Sequence, residues 1–440
     1  MPFLHGFRRI VYEYQPLVDA VMYVVGIEEE EEVAERNSEG EGVLVELLEK
    51  EAESAVFEEG ISYALLKVTE RGLASPAEIL LRHGADLNFE DPVSYYTALH
   101  VAVLKNRPRM VQLLARNGAD LNRRDRIHES SPLDLASEEL ERLPCLRMLL
   151  DLGADVNARD RNGKTALLHA LASSDGLTVR NTDNIQLLLE KGADVRATTQ
   201  DGETAVSSLV FLVKEALEGT EEDASEIGRF CLAVARLLLV HGADPSCCLT
   251  PGDMGPEPGE EVGEPSLTQT CLEYFDLLFP LAVLLLERGG PFLCTRHSAP
   301  CWTGHGLIFG RLGSALAGSQ DPVLEAELLT KAELLLDLAL ASSPHLPLPP
   351  RADLRHFERD PRLQGLLFLH GSPPRDQDAA PPQLRCLCRA AIRRCLGPWH
   401  LQSKAQALPL PDSLKRYLLP AHKHCSELSP DCFKPHRTLR

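Results

Sequence analysis

Leucine-rich segments with helical periodicity recur along much of the chain, and most of them end in the tripeptide Gly-Ala-Asp. The glycines lie at 84, 118, 153, 192 and 242, and a degraded copy, Gly-Gly-Pro, begins at 289. Consecutive glycines are separated by 34, 35, 39, 50 and 47 residues. Each segment is predicted to be an amphipathic helix that ends at its glycine, because glycine readily adopts the left-handed conformation found just beyond a helix C-terminus.

A shorter apolar segment precedes several of these helices. The sequences are TALHVAV at 97–103, SPLDLAS at 131–137 and TALLHAL at 165–171. Thr97, Ser131 and Thr165 are good N-cap residues, because their hydroxyls can accept hydrogen bonds from free backbone amides. The unit is therefore a helix pair, which must stack on its neighbours to bury its leucines. Segments 61–72 and 77–84 supply a first pair, and 322–340 is interpreted as a closing helix pair.

The longer glycine spacings predict insertions at 173–182, 215–226 and 250–265, and the last two are expected to be disordered surface loops. The N-terminal helix is expected either to dock on the repeats or to await a partner. The predicted domains are an N-terminal helix and acidic loop at 1–56, the repeat array at 57–340, a proline-rich linker at 341–380, a C-terminal block at 381–420 and a flexible tail at 421–440.

Composition narrows the classes of partner. The 440 residues include 45 Lys and Arg against 65 Asp and Glu, a formal charge of −20. This charge argues against nucleic acid and anionic lipid as partners. No apolar run approaches the ~18 residues of a membrane span. The twelve cysteines have no regular spacing, which is typical of a reducing compartment, so a cytoplasmic protein is expected.

Motifs for catalysis or cofactor binding are absent from the sequence. It contains neither the phosphate-binding GxxxxGK[ST] nor the hydrolase patterns GxSxG and HExxH, so no catalytic residue, cofactor or metal is predicted. His100 and His169 are interpreted as repeat scaffold that ties together the backbones of adjacent turns. The sequence HKHC at 422–425, with Cys432 and His436, matches no common zinc spacing and is interpreted as a flexible tail, with zinc binding as the alternative.

The segment LRCLCRAAIRRCL at 384–396 has an apolar stripe of helical period. Cys388 and Cys395 lie in the stripe, whereas Cys386 is about 200° around the helix from Cys388, so this pair cannot bind one metal ion. Residues 381–420 carry seven basic residues and one acidic residue, Asp412. A block of roughly 40 residues makes a marginal core by itself, which predicts a partner protein that covers the stripe.

These motifs resemble two known modules. A period near 33 with TPLH-like and Gly-Ala-Asp motifs resembles the ankyrin repeat. Leu384, Cys388 and Ile392 stand in the register of the first helix of a SOCS box, and LPLP at 408–411 resembles the LPxP element of a cullin-5 box. The combination resembles the ankyrin-repeat and SOCS-box protein family. The fold it implies is all-α, an ankyrin-repeat solenoid followed by a small three-helix SOCS box.

The resemblance also implies a function. The chain would be the non-enzymatic substrate-recognition subunit of an elongin B/C–cullin-5–RING E3 ubiquitin ligase, which marks an unidentified protein substrate for the proteasome. Elongin C, which travels with elongin B, would be bound by Leu384, Leu387, Cys388, Ala391 and Ile392. Cullin-5, which brings the RING subunit, would be bound by Leu408, Pro409, Leu410 and Pro411.

The substrate is expected at the exposed hairpin tips and the concave face of the array. The candidate side chains there are Tyr95, Tyr96, Arg124, Arg126, His128, Arg161 and Lys164. Two alternatives remain at this level. One is an ankyrin scaffold whose C-terminal helices merely cap the solenoid, and the other is a zinc-dependent factor that uses the His/Cys tail.

Overall fold

The computed structural model describes residues 10–26, 37–172, 181–245, 265–294, 302–318, 321–342, 360, 362–363, 366–367, 392, 395 and 401–418. Regular structure in these residues is helical, apart from single-residue bridge positions such as the antiparallel bridge between Leu293 and Thr303. The chain divides into two compact units, Met1–Gln200 and Asp201–Arg440. No helix in the described residues is long and apolar enough to cross a membrane.

The first unit is built of ten α-helices within its described residues. They are α1 Gln15–Gly26, α2 Asn37–Glu51, α3 Phe57–Arg71, α4 Ala74–Arg82, α5 Ala98–Leu104, α6 Pro108–Arg116, α7 Pro132–Glu138, α8 Leu143–Asp151, α9 Ala166–Ala172 and α10 Thr182–Glu190. A π-helical turn, Ile10–Tyr14, precedes α1, and a 3-10 turn, Leu140–Arg142, precedes α8. Helices α3, α5, α7 and α9 stack in one row, and α4, α6, α8 and α10 stack in another. The predicted helix pairs of this unit and their stacking are therefore confirmed.

The glycines act as the sequence predicted. Gly84, Gly118, Gly153 and Gly192 have φ values of 93, 97, 93 and 90°, in the left-handed region just beyond the helices that precede them. Counting Gly242 and Gly289 of the second unit, the array has six repeat glycines, and a leucine lies four positions before each of them. These six leucines are at most 1% exposed: Leu80, Leu114, Leu149, Leu188, Leu238 and Leu285. Each such burial contributes about 1.5–3 kcal/mol, so one leucine position per pair anchors the array.

The N-terminal segment docks on the repeats. Helix α1 packs on α3 and buries Val18, Val21 and Val25, and α2 packs on both α1 and α4. The prediction of an acidic loop up to residue 56 is therefore wrong for Asn37–Glu51, because these residues form a helix. Leu44 and Leu48 lie one turn apart and are buried, which gives this acidic sequence a narrow apolar face. The run 28–32 lies outside the described residues.

The second unit continues the helix pairs. Its helices are α11 Ala205–Glu218, α12 Glu221–Val240, α13 Leu267–Glu273, α14 Phe275–Glu287, α15 Gly304–Gly318 and α16 Pro322–Ser342, with α17 Leu401–Ala407 and α18 Asp412–Leu418 in the C-terminal block. The loop predicted at 215–226 is wrong, because α11 runs to Glu218 and α12 begins at Glu221. Glu, Ala and Leu favour helix, and the buried Ala216 and Ile227 extend both helices into the acidic stretch.

The closing element also differs from the prediction. Residues 322–340 belong to the single helix α16 rather than to a helix pair, because the segment contains no glycine or internal proline to interrupt it. The partner of α16 is α15, whose glycine-rich sequence hid its helical character. In the region predicted as a linker, Leu363 is fully buried, and the Arg362 guanidinium lies 2.8 Å from the Glu325 carboxylate of α16. The linker therefore docks on the unit at this point.

Candidate functional sites in the hairpins and the C-terminal block

Three hairpins connect the helix pairs of the first unit. They are called the second, third and fourth hairpins, after the repeats whose cap residues Thr97, Ser131 and Thr165 follow them. Each is closed by an aspartate that sequence reasoning missed. The Asp91 carboxylate accepts hydrogen bonds from the backbone amides of Val93 and Ser94 at 2.7 and 3.0 Å. Asp125 and Asp160 bond the amides of their own turns in the same way. The available signal was an aspartate five or six residues before each Thr or Ser cap, a spacing that suits a carboxylate closing a turn.

Each hairpin contains one left-handed residue two positions before its cap. These residues are Tyr95, Glu129 and Gly163, with φ values of 59, 57 and 82°. Glycine adopts this conformation freely, whereas a side chain makes it costly by about 1 kcal/mol or more. The second and third hairpins thus carry backbone strain that the fourth hairpin avoids.

The residue three positions after each cap differs among the repeats. In the second repeat, His100 Nδ1 lies 2.8 Å from Thr97 Oγ1, and Nε2 lies 3.3 Å from the Ser130 carbonyl of the next hairpin. In the third repeat, Asp134 accepts from the Ser131 amide and hydroxyl at 2.9 and 2.8 Å. The predicted structural role of His100 is thereby confirmed. Burial lowers the pKa of His100 below its ordinary value, so the neutral ring is favoured.

The fourth repeat departs from this pattern. Leu168 stands where a capping partner would be, and the buried hydroxyl of Thr165 has no hydrogen-bond partner among the residues that the structure describes. His169 is one position further and contacts side chains instead of backbone. Its Nε2 lies 3.2 Å from the Asp160 carboxylate and its Nδ1 lies 3.6 Å from that of Glu138. The backbone-tying role predicted for His169 is wrong, because the one-residue shift turns its ring toward carboxylates.

The pKa of His169 reflects these carboxylates. Burial acts to lower the pKa, but the hydrogen bond that the ring donates to Glu138 and the negative charges of Asp134, Glu138 and Asp160 outweigh it. The pKa of His169 is consequently raised above its ordinary value. Protonation of this ring completes an ion-paired bridge from the fourth hairpin to the end of α7.

The predicted substrate residues fall into two groups. Arg124 is engaged within the fold, since its guanidinium lies 2.8 Å from the buried Asp134 carboxylate and 2.6 Å from the Glu129 carbonyl. Tyr96 is half-buried and stacks on the ring of His100 at a centroid distance of 5.6 Å. The others form the outer surface of the tips: Tyr95 and Lys164 are half-buried, and Arg126, His128 and Arg161 are exposed.

In the C-terminal block, the LPLP segment 408–411 connects α17 to α18. Leu408 and Leu410 are half-buried, whereas Pro409 and Pro411 are exposed. The Pro411 carbonyl accepts from the amides of Leu414 and Lys415 and so starts α18. The prolines therefore form an outward ridge held between two short helices.

The predicted elongin residues are described only in part. Ile392 is helical and half-buried, and Cys395 in the same stripe is helical and exposed. Leu384, Leu387, Cys388 and Ala391 lie outside the described residues, as does the His/Cys tail at 422–436. Within the described residues, no group of three or more His, Cys, Asp or Glu side chains could hold a metal ion.

The buried cysteines belong to the core. Burial raises the pKa of Cys145 and of Cys231 to about 12, and that of Cys271 also rises well above its ordinary value. These three side chains are fully buried thiols and behave as small apolar groups.

Comparison with known proteins agrees with this architecture. A SOCS box profile matches residues 380–419, and an ankyrin-repeat profile matches 37–125 and 65–160. Over nearly its whole length the chain is also similar to proteins that combine both modules, and it belongs to the ankyrin repeat and SOCS box protein family. Its architecture is that of SOCS-box substrate adaptors.

The similar proteins include the same family member from more than one species. The chain is 54% identical over 428 residues to ankyrin repeat and SOCS box protein 6 of Mus musculus. The aligned region covers 96% of this chain and 98% of the relative. The Homo sapiens protein of that name is 54% identical over 431 residues, with 96% and 98% covered. The opening MPFLHGFRRI and the run NFEDP with YYTALH at 88–100 resemble the sixth member of the family, in agreement with this identity.

Proposed function

We propose that this chain is the substrate-recognition subunit of an elongin B/C–cullin-5–RING E3 ubiquitin ligase, acting in the cytoplasm. The match of a SOCS box to residues 380–419, behind an ankyrin array, carries the proposal. The chain supplies no catalytic group in this scheme. It raises the rate of ubiquitin transfer by holding a protein substrate near the charged conjugating enzyme.

The apolar stripe supports elongin as the partner. Leu384, Leu387, Cys388, Ala391 and Ile392 are proposed to face elongin C, which travels with elongin B. Cys395 shares the stripe and is exposed in the chain alone, as an uncovered docking face requires. Burial of Leu384 in a partner pocket would contribute about 1.5–3 kcal/mol.

The proline ridge supports cullin-5 as the second partner. Leu408, Pro409, Leu410 and Pro411 are proposed to engage cullin-5, which brings the RING subunit. The exposure of Pro409 and Pro411 fits this role, because their rings are available and their conformation is fixed by α17 and α18. Prolines lose little conformational entropy on binding.

Co-purification from cells tests both contacts. Leu384→Ser with Cys388→Phe should lose elongins B and C, while far-UV circular dichroism shows folded repeats. Arg393→Ser with Cys386→Phe is the matched control, because it introduces the same two residues on the polar side of the predicted helix, and it should keep both elongins. Pro409→Ala with Pro411→Ala should keep the elongins and lose cullin-5. Unchanged elongin recovery with the first variant would refute the assignment and leave a plain ankyrin scaffold.

A further inference from the structure

In the hairpin tips of the first unit, basic side chains are mostly exposed, whereas the aspartates beneath them are buried. Arg126, His128, Arg159 and Arg161 are exposed, and Lys164 is half-buried. The acids that form the turns point inward: Asp125, Asp134 and Asp160 are 2, 1 and 9% exposed. The carboxylates of Asp125 and Asp160 accept hydrogen bonds from turn amides. The carboxylate of Asp134 accepts from Ser131 and pairs with Arg124. The cations therefore project beyond the acids that balance them.

The exposed acids of the same hairpins lie at their bases rather than at their tips. Asp120 and Asp155 lie two residues after the helix-ending glycines, and their carboxylates accept hydrogen bonds from the backbone amides of Asn122 and Asn157. Glu90 is largely covered, and it bridges Arg123 and Arg126 at 2.7 and 2.6 Å. The ion pairs among the described residues do not include Arg161 or Lys164, so these two cations are open to a partner.

An apolar shelf lies beside the cations. The Arg126 guanidinium lies 5.8 Å from the centre of the Tyr95 ring, a cation–π arrangement. Tyr95 holds this place with a left-handed φ of 59°. Ile127, at the tip of the next hairpin, is 50% exposed. The shelf and the cations together form the tip surface, defined as Tyr95, Arg126, Ile127, His128, Arg161 and Lys164.

We infer that the tip surface binds an acidic segment of the protein substrate, with one bulky apolar side chain against Tyr95 and Ile127 and carboxylates against Arg126, Arg161 and Lys164. This inference rests on the proposed function, since it names the class of substrate that the adaptor takes. A peptide segment fits better than a nucleic acid. The formal charge of −20 repels a long polyanion over the whole chain, whereas a short acidic segment meets only the local cations.

Selection from a random displayed peptide library tests the inference. The full-length chain serves as bait, and the most enriched peptide is then measured by fluorescence polarisation. The expected peptides are rich in Asp and Glu around an aromatic or aliphatic residue. Arg126→Glu with Arg161→Glu and Lys164→Glu should weaken binding about tenfold or more, since three exposed ion pairs are lost. Raising the salt concentration should weaken binding to the wild-type chain.

The matched control reverses three exposed arginines away from the tips, Arg109→Glu, Arg116→Glu and Arg147→Glu, which lie on α6 and α8. This variant has the same net charge as the tip variant and should bind the peptide like the wild type. Equal weakening by both variants, or binders with no excess of Asp and Glu, would overturn the inference. Binding of a single-stranded RNA oligomer that the tip variant alone loses would overturn it in favour of nucleic acid.

Elongin recovery keeps the two proposals apart. The tip variant should retain elongins B and C, because its substitutions are in the hairpins and not in the SOCS box. Failure of the peptide selection with intact elongin recovery would remove only the acidic-segment inference. If the SOCS-box variant Leu384→Ser with Cys388→Phe kept its elongins, the ligase assignment would be removed instead.

Discussion

The second and fourth hairpins of the array each place a histidine nine residues after a turn aspartate, but the two histidines have different surroundings. His100 is fully buried, contacts the cap residue Thr97 and reaches the Ser130 carbonyl of the next hairpin. His169 lies between the carboxylates of Asp160 and Glu138. The pKa of His100 is lowered and that of His169 is raised. One residue type thus serves in two repeats whose hairpins shift its pKa in opposite directions.

The cause is the length of the hairpin. Thr97 follows Asp91 by six residues, whereas Thr165 follows Asp160 by five. His169 therefore comes four positions after its cap rather than three, and Leu168 takes the capping position. The shorter loop removes the strained left-handed side chain, since Gly163 replaces a residue such as Tyr95, but it leaves the Thr165 hydroxyl without a partner. The second hairpin thus contains a strained residue, Tyr95, and the fourth contains an unpaired hydroxyl, that of Thr165.

Converting the second hairpin to the pattern of the fourth should have the largest effect. His100→Leu removes the partner of the buried Thr97 hydroxyl and of the Ser130 carbonyl. We expect the free energy of unfolding to fall by about 3 kcal/mol, because buried polar groups left unpaired cost about 1–3 kcal/mol each. Urea unfolding followed by circular dichroism measures this loss.

The control for this substitution is Leu168→Met at the equivalent position of the fourth repeat. A volume-conserving swap in a core position costs less than about 1.5 kcal/mol. If His100→Leu proved no more costly than Leu168→Met, the hydrogen bonds of His100 would have no net stabilising role.

The two capping threonines provide a smaller and closely matched test. Thr97→Val should cost about 1 kcal/mol, because the hydroxyl loses its contact with His100. Thr165→Val should change the free energy of unfolding by less than about 0.5 kcal/mol, since a buried hydroxyl without a partner is replaced by a methyl group of the same shape. Equal losses for the two variants would show that Thr165 bonds a donor such as an ordered water.

Much of the fold follows from the sequence, because glycine positions and leucine periodicity have direct local causes. The helix pairs from α3 to α10, and the glycine-terminated helices α12 and α14, were predicted in this way. Helix α2 and the acidic ends of α11 and α12 were missed, because charge density suggested solvated loops and a few buried residues decided otherwise. Helix α15 was hidden by its glycines, whose tendency to break helices is overridden where the chain packs against α13 and α16.

The candidate sites show a sharper limit. Side-chain type indicated Arg124 as a substrate contact, but its ion pair with Asp134 depends on which way the third hairpin turns. The backbone role assigned to His169 failed for the same reason, since a one-residue difference in loop length decides which groups the ring meets. Residue type and spacing predicted the location of the exposed tips, whereas pairing within them required the folded hairpins.

Titration provides the smallest and most discriminating test of the two histidines. The folded-state pKa of His169 is raised, so its ion pairs stabilise the fold below the unfolded value of about 6.5 and are lost as pH rises through the folded pKa. The destabilisation caused by His169→Gln should therefore shrink as pH rises from about 5.5 to about 8.5.

His100→Gln should show the opposite slope. The lowered pKa of His100 means that its neutral ring stabilises the fold above about pH 6.5, and this contribution is lost as pH falls. Urea midpoints of both variants and the wild type across this range measure the two slopes. Parallel slopes would mean that the one-residue shift in the fourth hairpin does not change the favoured protonation state, and that the carboxylates of Asp160 and Glu138 do not hold the proton on His169.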